Sequence, residues 1–217
     1  MEEENGSELI LRRRTAYHES GHAVSAKTLG AEVSFLWVRS DWNGNTRYLW
    51  ATKVAPDADP TATDADRAAR ARLNAKLAIA GLLAEFLLDG TPPEAFLSHL
   101  IDFREGRDGD AVGRIRHSSR DIDALDFFAR ESCLPVDALV LESAAELQAD
   151  WHRVKALADF ILERWGPGVE FVRLGSDEVT AAMGGPEDAS EAGPYAAPQI
   201  ETTGPPAPLK RAEGETS

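Results

Sequence analysis

Cysteine, basic residues and long apolar runs are all scarce in this sequence of 217 residues. The single cysteine, Cys133, cannot form an internal disulfide, so we expect a reduced, cytoplasmic setting. Lys and Arg number 23 against 37 Asp and Glu, whereas a nucleic-acid-binding face needs clustered basic residues. The longest apolar run, Leu77 to Leu88, contains Glu85 and is shorter than the roughly 20 residues that a membrane-spanning helix needs. We therefore expect no nucleic-acid partner and no membrane span.

The distribution of apolar residues predicts one folded domain with a polar tail. Residues 8–183 carry enough apolar side chains to close a core, and we expect residues 1–7 to be flexible. Residues 184–217 hold half of the chain's 12 prolines and few large apolar groups. Because such a segment buries too little surface to offset the entropy of ordering, we expect a disordered, acidic tail rich in Pro and Gly.

The hydrophobic periodicity predicts a mainly α fold with a small β-hairpin. Two runs rich in β-branched and aromatic residues, 33–38 and 46–54, flank a turn that contains Asn-Gly, which is typical of a hairpin. We expect this hairpin to be the only substantial sheet. The remaining predicted elements are helices at 8–29, 64–88 and 136–165, a helix opening at Ser118 or Ser119, an exposed loop at 104–113, a short strand at 169–174 and a last helix from Ser176.

The first predicted helix contains the motif H-E-x-x-H, at His18, Glu19 and His22. Four residues advance an α-helix by a little over one turn, so both imidazoles project from one face and can bind the same metal ion. Two neutral imidazoles suit zinc. Glu19 is then placed to act as the general base for a water that attacks a peptide bond. The motif predicts a hydrolytic zinc centre with His18 and His22 as ligands.

A catalytic zinc site also needs a third protein ligand and an open position. Sequence spacing does not select this ligand, and for any single candidate a solvated surface group is the simpler interpretation. The candidates are His99, His117, Glu85, Asp102, Asp110, Asp121 and Asp123.

The segment TAYHESGHAV, Thr15 to Val24, resembles the zinc-site signature of the FtsH-type ATP-dependent zinc peptidases, in which Tyr-His-Glu-Ala-Gly-His-Ala is typical. The helical segment Ile79 to Glu85 is also similar to the family, as is Ser118 to Ile122, which matches the segment that carries the family's third zinc ligand. The resemblance implies a zincin-like helical metallopeptidase domain that binds zinc. It also implies that Asp121 is the third ligand, with Asp123 and Glu85 as the alternatives.

The chain departs from this family in three ways. Ser20 stands where the family usually has alanine, a small change. The interval between the helix that contains Glu85 and the segment that contains Asp121 is long and rich in Gly and Asp, which leaves Asp123 as an alternative match for the third ligand. There is no G-x-x-x-x-G-K-[ST] phosphate loop and no pair of membrane-spanning segments, so the resemblance concerns the peptidase domain, about residues 8–182, without the AAA ATPase module. We expect the substrate to be a peptide or an unfolded protein segment. A separate ATPase partner and a homo-oligomer are left open.

Three functions are compatible with these patterns. The first is a zinc metalloendopeptidase that hydrolyses peptides or unfolded segments, with Glu19 as base. The second is a zinc-stabilised adaptor or binding module without productive hydrolysis, which the presence of Glu19 disfavours. The third is a helical interaction protein that binds no metal. Zinc content distinguishes the third from the others, and peptide cleavage distinguishes the first two.

Overall fold

The computed structural model describes residues 6–40, 44–50 and 63–184, and over this part the chain is mainly helical with one small antiparallel sheet. The mainly α fold class is therefore confirmed. The described elements are α1 (Gly6–Thr28), β1 (Ala31–Arg39), β2 (Gly44–Trp50), α2 (Asp64–Leu88), α3 (Pro93–Arg104), α4 (Asp110–His117), α5 (Ser119–Ser132), α6 (Val136–Ala149), α7 (Trp151–Arg164), β3 (Phe171–Gly175) and α8 (Ser176–Ala182).

The sheet has the order β2-β1-β3, and both outer strands run antiparallel to β1. The predicted hairpin is confirmed for β1 and β2, although residues 51–54 of the predicted second strand lie outside the described residues. The predicted short strand at 169–174 is found as β3, and it pairs with β1, so the sheet of the described residues has three strands and is larger than the predicted hairpin. The physical reason is that Val172 and Leu174 alternate into the core, which aligns β3 with the buried side of β1.

The long helix predicted over 136–165 is two helices, which corrects that prediction. Asp150 separates α6 from α7, and its side chain accepts a hydrogen bond of 2.7 Å from the hydroxyl of Thr28 at the end of α1. This tertiary contact stabilises the break between α6 and α7, at a position where the local sequence predicts a continuous helix. The apolar side predicted for the segment is buried in both helices, at Leu139, Leu147, Val154, Leu157 and Ile161.

The exposed loop predicted at 104–113 is also partly wrong. Residues from Asp110 onward form the short helix α4, which buries Val112 and Ile115. Two apolar residues three positions apart lie on one face of a helix. Burial of that face stabilises α4, although the polar composition of the segment does not predict a helix.

The crossing of α1 and α2 builds the floor of the candidate site. A methyl group placed on Gly21 of α1 would lie 2.5 Å from the carbonyl oxygen of Ala80 and 2.7 Å from Cβ of Ala84, both on α2. A mid-helix glycine costs about 1 kcal/mol relative to alanine, and here it permits the backbone of α1 to approach the backbone of Ala80 and the side chain of Ala84 on α2. The helix α5 also packs on α2, and it brings Asp121 next to His18 of α1.

Two further expectations concern the ends of the chain and the membrane. Residues 1–5 and 185–217 lie outside the described residues, so the flexible N-terminus and the disordered tail stay predictions. Among the helices that the structure describes, none is long and apolar enough to cross a membrane.

Candidate metal centre

The structure brings together His18 and His22 of α1 with Asp121 in the first turn of α5. The two Nε2 atoms are 3.1 Å apart. Oδ2 of Asp121 lies 3.2 Å from Nε2 of His18 and 3.8 Å from Nε2 of His22. Ligand atoms at zinc distances in a tetrahedron are about 3.4 Å apart. The three residues therefore form a group that could hold a metal ion.

A hydrogen bond from Nδ1 of His22 fixes the orientation of this ring, so that Nε2 faces the candidate site. Nδ1 of His22 lies 2.8 Å from the carbonyl oxygen of Leu77 on α2. Because a carbonyl oxygen only accepts hydrogen bonds, Nδ1 must carry the proton. In the neutral imidazole this leaves Nε2 unprotonated and directed at His18 and Asp121, which is the form that a metal ion needs.

His18 is oriented in the same way by a carboxylate. Nδ1 of His18 donates to Oε1 of Glu85 on α2 over 2.7 Å, and the Glu85 side chain is only 12% exposed. Metal-binding histidines characteristically donate their other ring N–H to a carboxylate or a carbonyl. Glu85, a candidate for the third ligand, therefore lies on the opposite side of the His18 ring from Asp121.

The carboxylates around His18 favour a positive charge on its ring. Burial lowers the pKa of His18, but hydrogen bonds to Asp121 and Glu85, together with the charges of Glu85 and Glu19, outweigh this effect and hold the pKa well above its ordinary value. Burial likewise raises the pKa of Asp121, but hydrogen bonds with His18 and His22 hold it well below the usual range. Asp121 is therefore ionised, as a metal ligand must be.

Glu19 lies against the start of β2. Its side chain is buried, and a methyl group on Gly44 would lie 2.6 Å from its Cγ and 2.7 Å from its Cδ. Any side chain at position 44 would collide with the Glu19 carboxylate. Gly44 thus permits the first residue of β2 to cover the predicted general base.

The remaining candidates for the third ligand lie elsewhere in the described structure. Asp123 is exposed. Asp102 pairs with Arg107 over 2.8 Å, and Asp110 is an exposed residue that opens α4. The ring of His99 lies against that of Phe86, with 6.0 Å between centroids. The side chain of His117 is outside the described part of the chain.

The motif predicted His18 and His22, and the family resemblance implied Asp121, but neither indicated which groups orient the two histidine rings. The carbonyl of Leu77 left no signal in the sequence, since every residue has one. Gly81 of α2, where an added methyl group would collide with both histidine rings, did leave a signal, because it is a glycine in the middle of a helix and its neighbours are alanine and leucine.

No protein-family model matches this chain, and no curated protein matches its sequence. The similarity to FtsH-type peptidases therefore depends on the motifs of this chain alone.

The contact between Glu85 and His18 predicts that Glu85→Gln weakens zinc binding by about 10- to 100-fold, while the protein stays folded. Glutamine has the same shape as glutamate, and its amide oxygen still accepts the hydrogen bond from His18. The negative charge that makes the His18 ring a stronger metal ligand is lost. Competition with a zinc chelator measures the affinity. The control is Glu94→Gln, which changes an exposed glutamate on α3 and should leave zinc affinity unchanged. An unchanged affinity in Glu85→Gln would contradict a role for Glu85 at the metal centre.

Proposed function

We propose that this chain is a zinc-dependent metalloendopeptidase, with a zincin-like domain similar to the peptidase domain of the FtsH-type family. The observation that carries the proposal is the convergence of His18, His22 and Asp121 at distances suited to zinc. A structural zinc site is normally closed by four protein ligands, whereas a catalytic one has three and an open position. The described residues supply three, beside a glutamate of the H-E-x-x-H motif.

The chain's own residues divide the work of hydrolysis. When bound, zinc polarises the carbonyl of the scissile bond and lowers the pKa of water. His18, His22 and Asp121 hold the ion, and Glu85 with the carbonyl of Leu77 keeps the two rings aimed at it. Glu19 accepts a proton from the attacking water and delivers it to the leaving amine.

The position of β2 supports an extended peptide as the substrate. β2 is an edge strand of the described sheet, and its first residue, Gly44, lies directly on the Glu19 side chain. An extended chain can add to an exposed strand edge through main-chain hydrogen bonds. A peptide on the β2 edge would pass close to Glu19. A folded protein offers few such segments, so flexible peptides and unfolded chains are the proposed substrates.

Metal analysis and a cleavage assay on the same sample test this function. Protein purified without chelator should contain about one zinc per chain, because the site supplies one set of three ligands. It should cleave casein, a flexible protein; phenanthroline should stop the reaction, and added zinc should restore it. Absence of zinc would contradict the proposal and favour the helical interaction protein. Zinc without cleavage of any unfolded substrate would favour the zinc-stabilised adaptor.

A further inference from the structure

Gly81, in the middle of α2, faces both histidine rings at very short range. A methyl group at this position would lie 2.5 Å from Nε2 of His22 and 2.7 Å from both Nε2 and Cδ2 of His18. Non-bonded carbon atoms pack most favourably at about 3.5–4.0 Å and repel each other strongly at much shorter separations. A single added carbon atom would therefore collide with both imidazoles at the nitrogens that face Asp121.

Neither ring can move away without losing a hydrogen bond. Nδ1 of His22 is held by the carbonyl of Leu77, and Nδ1 of His18 is held by the carboxylate of Glu85. Leu77, Gly81 and Glu85 are spaced four residues apart and form one stripe of α2. These three residues contact the rings at three successive turns of α2, and the central one, Gly81, has no side chain.

We propose that Gly81 is a positioning residue for the metal centre: the absence of a side chain there is what lets both imidazoles direct Nε2 at one ion. This inference depends on the proposed zinc site for its functional meaning. The steric contact on which it is based exists with or without the metal.

The substitution Gly81→Ala tests this inference, because helix propensity and the collision predict opposite effects on stability. Alanine is a better helix former than glycine, so Gly81→Ala would stabilise α2 if the position were open. We expect the opposite in the native protein, because the methyl group displaces the rings. When the rings are removed in His18→Ala/His22→Ala, the same substitution should be tolerated or should stabilise the protein.

The experiment measures zinc affinity by chelator competition, and the melting temperature in excess EDTA. Gly81→Ala should weaken zinc binding by more than about 100-fold. Losing one residue that orients a single ligand costs up to about 100-fold in affinity, and the methyl group would displace two ligands. In excess EDTA, Gly81→Ala should lower the melting temperature when both histidines are present. In the His18→Ala/His22→Ala background, the same substitution should leave the melting temperature unchanged or raise it. Gly113→Ala is the control, since an added methyl group there meets no atom within 4 Å, and it should leave zinc affinity unchanged.

Each outcome decides between the inference and its alternatives. Zinc affinity within about twofold of wild type in Gly81→Ala would overturn the inference and leave the proposed function intact. Equal changes in melting temperature in the two backgrounds would overturn it as well, as would failure of Gly81→Ala to fold even without the histidines. A wild-type protein that binds no zinc would contradict the proposed function, while the melting experiment would still show whether Gly81 and the rings are coupled.

Discussion

Glu19→Gln is expected to lower kcat on casein by about 10²- to 10⁴-fold while the protein keeps its zinc and its fold. Glutamine has nearly the same volume as glutamate, so the packing of this buried side chain under Gly44 is preserved. His18 and His22 are untouched. What is lost is the ability to accept a proton from the attacking water. Steady-state kinetics, zinc analysis and a melting curve on the same sample measure the three quantities.

The matched control for this variant is Glu131→Gln, which changes an exposed glutamate near the end of α5 and should retain full activity. Full activity in Glu19→Gln would rule out the proposed mechanism. If wild type and variant both hold zinc and are equally inert on every unfolded substrate, the adaptor hypothesis becomes the better one.

Asp121→Ala is expected to lose zinc and activity together. Oδ2 of Asp121 lies 3.2 Å and 3.8 Å from the two histidine Nε2 atoms, and the carboxyl group stays ionised because its pKa is low. Removing it leaves two imidazoles, fewer protein ligands than a catalytic zinc site has. The affinity should fall by more than the roughly 100-fold expected for a residue that only orients a ligand. Chelator competition and metal analysis after dialysis measure the loss.

Two aspartates provide matched controls for Asp121→Ala. Asp123→Ala, two residues further along α5, and Asp110→Ala, at the start of α4, both change exposed carboxylates and should retain zinc and activity. Retention of zinc in Asp121→Ala with its loss in Glu85→Ala would place the third ligand on α2 and would contradict the proposed site.

The sequence alone determined the local part of the candidate site. His18, Glu19 and His22 share one helix, and a helix repeats every 3.6 residues, so the common direction of the two imidazoles follows from their spacing. The same periodicity predicted α1, α2 and the apolar sides of α6 and α7. These features were accessible because they depend on neighbours within one or two turns of helix.

The tertiary structure decided which distant groups complete the site. Glu85 is 67 residues from His18, and the Leu77 carbonyl is 55 residues from His22, so no local period relates them. Asp121 was favoured through a resemblance, but its distance to the histidines depends on how α5 packs against α2. The collision that excludes a side chain at Gly81 likewise exists only where α1 crosses α2. A break at Asp150 and a short helix at α4 escaped prediction for the same physical reason: long-range contacts outweigh the weak propensities of single residues.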